Sequence, residues 1–171
     1  MNDGIAPVLI FLVLAGAWSD VRTRKIPNWI PVSGVVSGLL LQSWHVGAQG
    51  AMTSIAGAAL GFGIFVPMYI LGGMGAGDVK LFSAVGALIG PQSLVLVFVL
   101  TGLLGGVAAV LLAVSRGRLR ETLQRTGELM LDVSRLRWQQ AKASSSAAGA
   151  LRLPYGAVIA GGTLLALIVR H

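Results

Sequence analysis

Hydrophobic residues run through this chain in long unbroken stretches, with almost no alternation of apolar and polar positions. A half-buried strand would alternate, and a surface helix would return to an apolar residue every third or fourth position. Stretches that are apolar on every side therefore mark helices surrounded by hydrocarbon or by other helices. Six segments read as spans: 4–20, 29–45, 51–71, 78–90, 92–114 and 154–169. Ile5 to Trp18 supplies only about 14 apolar residues where a crossing takes roughly 20. A helix that crosses must continue through Ser19 and Asp20, which carries the Asp20 carboxylate below the headgroups. Arg22, Arg24 and Lys25 follow this apolar run instead of preceding it, and no small-residue cleavage site closes it, so it reads as a span and not as a signal peptide.

Punctuation residues set the other boundaries. Ile26-Pro27 ends the first helix, because proline lacks an amide donor and restricts the residue before it. Trp29 and Trp44 frame the second span as interfacial anchors. His45 to Gly50 reads as a short polar connection, and Pro67 is placed to kink the third span. The run Gly72-Gly73-Met74-Gly75-Ala76-Gly77 predicts a break in regular structure directly before Asp78. The fourth span covers only about 13 residues, roughly 20 Å of helix. Either it begins with Asp78 already submerged, or Gly90-Pro91 bends one longer helix.

Composition agrees with this reading. Of 171 residues 55% are hydrophobic and 11% charged, and the mean hydropathy is +0.81, values far from those of an ordinary soluble domain. The spans are continuous and too few to close a barrel, so the expected fold is an all-α integral membrane bundle of about six helices forming one domain, 1–171. The absence of cysteine excludes disulfides, thiol nucleophiles and cysteine-ligated metal centres. His45 and His171 both lie near segment ends, which argues against a histidine metal site or a serine triad. No metal and no cofactor is expected.

The formal charge of +7 reads as a topology signal and not as a nucleic-acid footprint. With six spans and the N-terminus outside, Arg22, Arg24, Lys25, Lys80 and the basic residues of 115–153 share one face, leaving only Arg170 of the thirteen basic residues on the other. That face is the cytoplasmic one. Two crossings separate Asp20 from Asp78, so both acids fall at the same boundary. The loop 115–153 spaces Leu119, Leu123, Met130 and Val133 at near-helical intervals among arginines, the pattern of an amphipathic helix on anionic lipid. Its tail, Ala143 to Ala150, reads as a flexible linker. Gly34/Gly38, Gly57/Gly61, Gly86/Gly90 and Gly102/Gly106 are small-residue pairs that allow close helix packing in lipid.

Asp20 and Asp78 are the candidate chemistry. An ionisable group at membrane depth persists only with a partner or a task. Two carboxylates brought together share a proton, and the pair then titrates as a unit. Its ionised member acts on water as a base while its protonated member donates to a carbonyl oxygen, which is peptide hydrolysis without a covalent intermediate. Gly75 and Gly77, immediately before Asp78, allow a second extended chain to approach.

Asp20 with Arg22 and Ile26-Pro27-Asn28, then Gly75-Ala76-Gly77-Asp78-Val79-Lys80, and more weakly Pro154-Tyr155-Gly156, resemble the motifs of the type IV prepilin leader peptidases, membrane aspartic proteases of the GxGD type. The likeness is to their short tight-adherence (Flp) pilus branch and spans about residues 9–114 plus the last motif. The resemblance implies that Asp20 and Asp78 are the catalytic dyad, with Gly75, Gly77, Lys80, Arg22, Pro27 and Asn28 as supporting or substrate-binding residues. It also implies a prepilin or pseudopilin substrate cut at the cytoplasmic face of the bacterial inner membrane. The long branch of the family adds a cytoplasmic domain with paired cysteines that methylates the new N-terminus. Without cysteines here, cleavage without methylation is the expectation. Lys80 and Arg22 read equally well as topology charges. Two other classes fit a submerged acid after a glycine break: a small proton- or ion-coupled transporter, and a passive pilus or secretion assembly component. The first needs a polar path across the bilayer that the sequence scarcely supplies, and the second would tolerate Asp20→Asn and Asp78→Asn.

Overall fold

A computed structural model describes residues 4–71, 73–115 and 154–169. Among them are five helices and no strand: α1 (Ile5–Thr23), α2 (Trp29–Val46), α3 (Ala48–Ile70), α4 (Ala76–Ser115) and α5 (Tyr155–Val169). Three are long and apolar enough to cross a membrane: α1, α3 and, over Ala76–Leu112, α4. Large apolar side chains such as Phe11, Trp44 and Ile168 point outward, while Asp20 and Asp78 are buried. That inversion suits a bundle whose surroundings are hydrocarbon. The expected amphipathic loop 115–153 lies, from residue 116 on, outside the described residues.

The first helix does run on through Ser19 and Asp20, as its short apolar length required. It ends at Thr23, where Arg24 turns left-handed (φ 55°) and its N–H donates to the Asp20 carbonyl at 2.8 Å. Ser19 Oγ and Thr23 Oγ1 donate to the Lys25 carbonyl at 2.7 and 3.0 Å, which holds the turn against the helix end. After Pro27 a new helix begins, with Ile30 N–H donating to the Pro27 carbonyl at 3.1 Å.

Two expected connections are tighter than the sequence suggested. The polar link His45 to Gly50 contracts to Gly47 alone, at φ 64°, and Gly50 then lies against the Gln42 carbonyl. A backbone with positive φ and a partner lacking Cβ let the chain reverse within a single residue. The break before Asp78 is likewise shorter than the glycine run, since Ala76 and Gly77 already belong to α4.

Within α4, Gly90 is not helical (φ 76°, ψ 169°), a region open essentially to glycine, and Pro91 follows it. The ring centroids of Phe82 and Phe98 stand 6.3 Å apart, whereas 16 residues of straight helix would separate them by roughly 24 Å. The chain therefore doubles back, and α4 is a hairpin of two arms corresponding to the segments read as 78–90 and 92–114. Of the two alternatives left by the sequence, the short separate helix is the one formed, beginning at Ala76, two residues before the acid.

α4 packs against all four other helices. Phe82, fully buried, stacks on Phe65 of α3 at 4.2 Å with Phe98 edge-on. Backbones meet where glycines remove side chains. Gly57 faces Gly86, a methyl on Gly61 would stand 2.8 Å from the Phe82 carbonyl oxygen, and one on Gly38 would stand 2.7 Å from the Ala87 carbonyl carbon. Gly102 and Gly106 depart from the expected packing role, for a methyl at either would meet no described atom within 4 Å. Both lie on the outward face of the second arm.

Candidate active site

Asp20 and Asp78 reach the same end of the bundle by opposite local logic. Asp78 is the third residue of α4, where the free N–H groups of a helix start carry partial positive charge and an acid is at home. Its Oδ2 reaches back to accept the Gly75 N–H at 3.1 Å, while Asp78 N–H donates to the Gly75 carbonyl at 3.1 Å. This is the acid's half of a capping box, with the glycine carbonyl in place of the cap side chain. Asp20 sits in the last turn of α1, the negative end of its own helix. Its Oδ2 is held instead by a different helix start: Gly156 N–H of α5 donates to it at 2.8 Å, across 136 residues of chain. Each acid thus places one oxygen on an amide at a helix N-terminus.

Both residues are 7% exposed. They lie close enough for the charge of Asp20 to act on Asp78. Asp78 Oδ1 is buried without a hydrogen-bond partner among the described residues. An unpaired buried carboxylate oxygen is costly, and it is the natural seat for a shared proton or a bound water. Among the described residues no three metal-ligating side chains come together.

The supporting candidates divide. Gly77 is packed under the Ile26 turn: a methyl there would stand 3.0 Å from Ile26 Cβ and 3.4 Å from its Cγ1. Gly75 caps α4 and receives the Asp78 carboxylate as described. Lys80 Nζ donates to Asn28 Oδ1 at 2.9 Å, which ties the first arm of α4 to the start of α2 on the exposed side of the site. Pro27 contributes through its carbonyl, which accepts the Ile30 N–H. Arg22 is not drawn in; it lies exposed on α1, its guanidinium carbon 6.0 Å from the Trp18 ring centroid.

Two residues of the site come from the weak third motif, Pro154-Tyr155-Gly156, to which the sequence by itself assigns no role in the site. Gly156 supplies the amide that holds Asp20. Tyr155 beside it is half-buried and near enough to feel the charge of Asp78. The available signal was a proline followed within two residues by glycine at the mouth of an apolar span, which places a side-chain-free amide in the first helical turn.

Chemically, the arrangement joins two buried acids, one unsatisfied oxygen and two helix starts at one end of an apolar bundle. Comparison with known proteins bears on what this does. The model of the type IV leader peptidase family matches residues 7–110, which include both acids, Asn28 and Lys80 and stop short of α5. The prepilin leader peptidase/N-methyltransferase of Bacillus subtilis (strain 168) is 34% identical over 119 residues, 62% of this chain and 44% of that protein. The chain therefore aligns with less than half the length of this curated relative. No solved structure matches the chain.

Proposed function

The chain belongs to the type IV leader peptidase family, and on that footing we propose that it is an aspartic endopeptidase removing the leader from type IV or Flp-type prepilins or pseudopilins, with Asp20 and Asp78 as its dyad. One observation carries the reading. Two acids 58 positions apart in sequence are buried at one end of the bundle, near enough for the charge of Asp20 to act on Asp78, each on a helix-start amide, with Asp78 Oδ1 unpartnered among the described residues.

In the proposed reaction a water lies between the carboxyl groups and the scissile peptide. The ionised carboxylate takes a proton from the water as its oxygen attacks the carbonyl carbon, and the protonated partner donates to the carbonyl oxygen. Collapse of the tetrahedral intermediate returns a proton to the departing amine nitrogen as the C–N bond breaks. Burial among apolar side chains strengthens both proton transfers by excluding bulk water. The Lys80–Asn28 bond and the Ile26–Gly77 contact hold the 24–28 turn beside Asp78, where an extended leader would run.

Counting the two arms of α4 separately supports six spans, and the placement of the basic residues supports an external N-terminus. The site then lies at the cytoplasmic face of the bacterial inner membrane, beside Arg22, Arg24, Lys25 and Lys80. The test is co-expression with a prepilin precursor and a gel that resolves precursor from mature pilin. Asp20→Asn and Asp78→Asn should each abolish processing while the protein still accumulates in the membrane. Normal maturation by either variant would remove the dyad.

A further inference from the structure

We propose that the first turn of α5 is the third component of the active site, in which Gly156 is a positioning residue that holds the Asp20 carboxylate toward Asp78. The inference rests on the peptidase reading for its consequence in catalysis but on geometry alone for the contact. The matched family segment ends at residue 110, and the weak likeness of Pro154-Tyr155-Gly156 to a family motif gives Gly156 no role.

Three observations converge on it. Asp20 stands in the last turn of α1, where the carbonyl ends of its own helix repel a negative charge. Left to that helix, the carboxylate would have no amide to face. The Gly156 N–H donates to Asp20 Oδ2 at 2.8 Å in a buried bond, and Gly156 lies in the turn whose amides have no partner within α5. The bond therefore satisfies an orphan donor and an orphan acceptor at once. Finally, a methyl on Gly156 would stand 2.9 Å from Asp20 Cβ, 3.1 Å from Oδ2 and 3.3 Å from Cγ. The approach leaves no room for any side chain, and the atoms that would have to move belong to the candidate catalytic group itself.

The contact also explains how a helix distant in sequence enters the chemistry. Pro154 opens α5, its carbonyl accepting the N–H groups of Ala157 and Val158 at 3.1 and 3.3 Å, which aims the Gly156 amide out of the turn toward α1. Tyr155, on the same turn, is near enough to feel the charge of Asp78. This helix start thus holds Asp20 directly through the Gly156 amide, and its position sets where that carboxylate lies.

The test uses the full chain in lipid nanodiscs. Carbon–carbon contacts want about 3.5–4 Å, so Gly156→Ala should push Asp20 by up to about 1 Å and lower kcat for precursor cleavage about 100-fold, with KM little changed. Gly161→Ala is the control: on the same helix, its methyl would meet only the Leu104 Cδ1 end at 3.2 Å, and cleavage should remain at the wild-type rate. A second readout needs no activity. In spectra of glycine-labelled protein, Asp20→Asn should move the Gly156 amide resonance more than those of Gly161 or Gly162. A Gly156→Ala protein that cleaves as wild type, or that loses activity through KM alone, overturns the proposal. So does a Gly156 amide indifferent to Asp20→Asn, and that readout decides the matter should Gly156→Ala fail to fold. If the wild-type chain cleaves no precursor, the peptidase reading falls, and the amide response still supports or overturns the contact.

Discussion

Replacing Gly77 by alanine should separate stability from activity. In an exposed helix, alanine in place of glycine gains about 0.8–1 kcal/mol. Against that gain stands the contact with the 24–28 turn, where the new methyl would lie 3.0 Å from Ile26 Cβ, 3.4 Å from Cγ1 and 3.5 Å from the Ile26 nitrogen. Only the first distance is clearly short of the 3.5 Å or so at which carbon atoms rest, so relief needs a shift of about 0.5 Å. The Ile26 turn is bounded by exposed residues and hangs on side-chain hydrogen bonds, so it yields with little loss. Net stability should change by less than about 1 kcal/mol. On the proposed mechanism catalysis has no such latitude, because residue 77 adjoins Asp78 and the displaced turn borders the proposed substrate path. If 1 Å of misplacement costs about 100-fold, half that shift costs about tenfold. The assay pairs thermal unfolding in nanodiscs with initial rates of leader removal. Ile26→Gly deletes the Cβ and Cγ1 atoms, leaving only the 3.5 Å nitrogen contact, so the Gly77→Ala/Ile26→Gly protein should recover most of the rate that Gly77→Ala loses relative to an Ile26→Gly background. Loss of rate in proportion to loss of folded protein, or a double variant no better than the product of the singles, would refute the reasoning.

Two further outcomes follow from the packing. Gly90→Ala forces a side chain into a backbone region reserved for glycine and brings its methyl 2.8 Å from Thr53 Cγ2, so it should destabilise the hairpin by about 1–3 kcal/mol in unfolding experiments; Gly102→Ala, with no described atom within 4 Å, should be silent. Lys80→Met keeps the apolar stem but removes the exposed bond to Asn28. It should leave the unfolding temperature nearly unchanged and slow processing no more than about fivefold, the scale of an exposed polar tie.

Helix positions were legible in the chain because they follow from local chemistry. Long apolar runs must pair their own backbone groups, and prolines and glycines mark where that pairing stops. Asp20 and Asp78 stood out for the same reason, since a charge inside such a run demands an explanation whatever surrounds it. The two short apolar stretches, before Asp20 and after Asp78, even indicated that each acid lies inside its helix and not beyond it. Arg22, by contrast, shared a motif with Asp20 and yet faces Trp18, because residues four apart on a helix share a face and residues two apart do not.

Tertiary structure decided what each carboxylate touches. Asp78 finds its amide three residues away, a contact a careful reader of helix starts could have anticipated. The amide that holds Asp20 comes from Gly156, and no local pattern connects them. Likewise Gly57 and Gly86 were visible as small residues, but only the fold shows that they face each other while Gly102 and Gly106 face outward. The reason is the range of the forces. Backbone pairing and the expulsion of charge from hydrocarbon act residue by residue, so they can be read along the chain; which helix meets which depends on how whole surfaces interlock, a property no single stretch possesses.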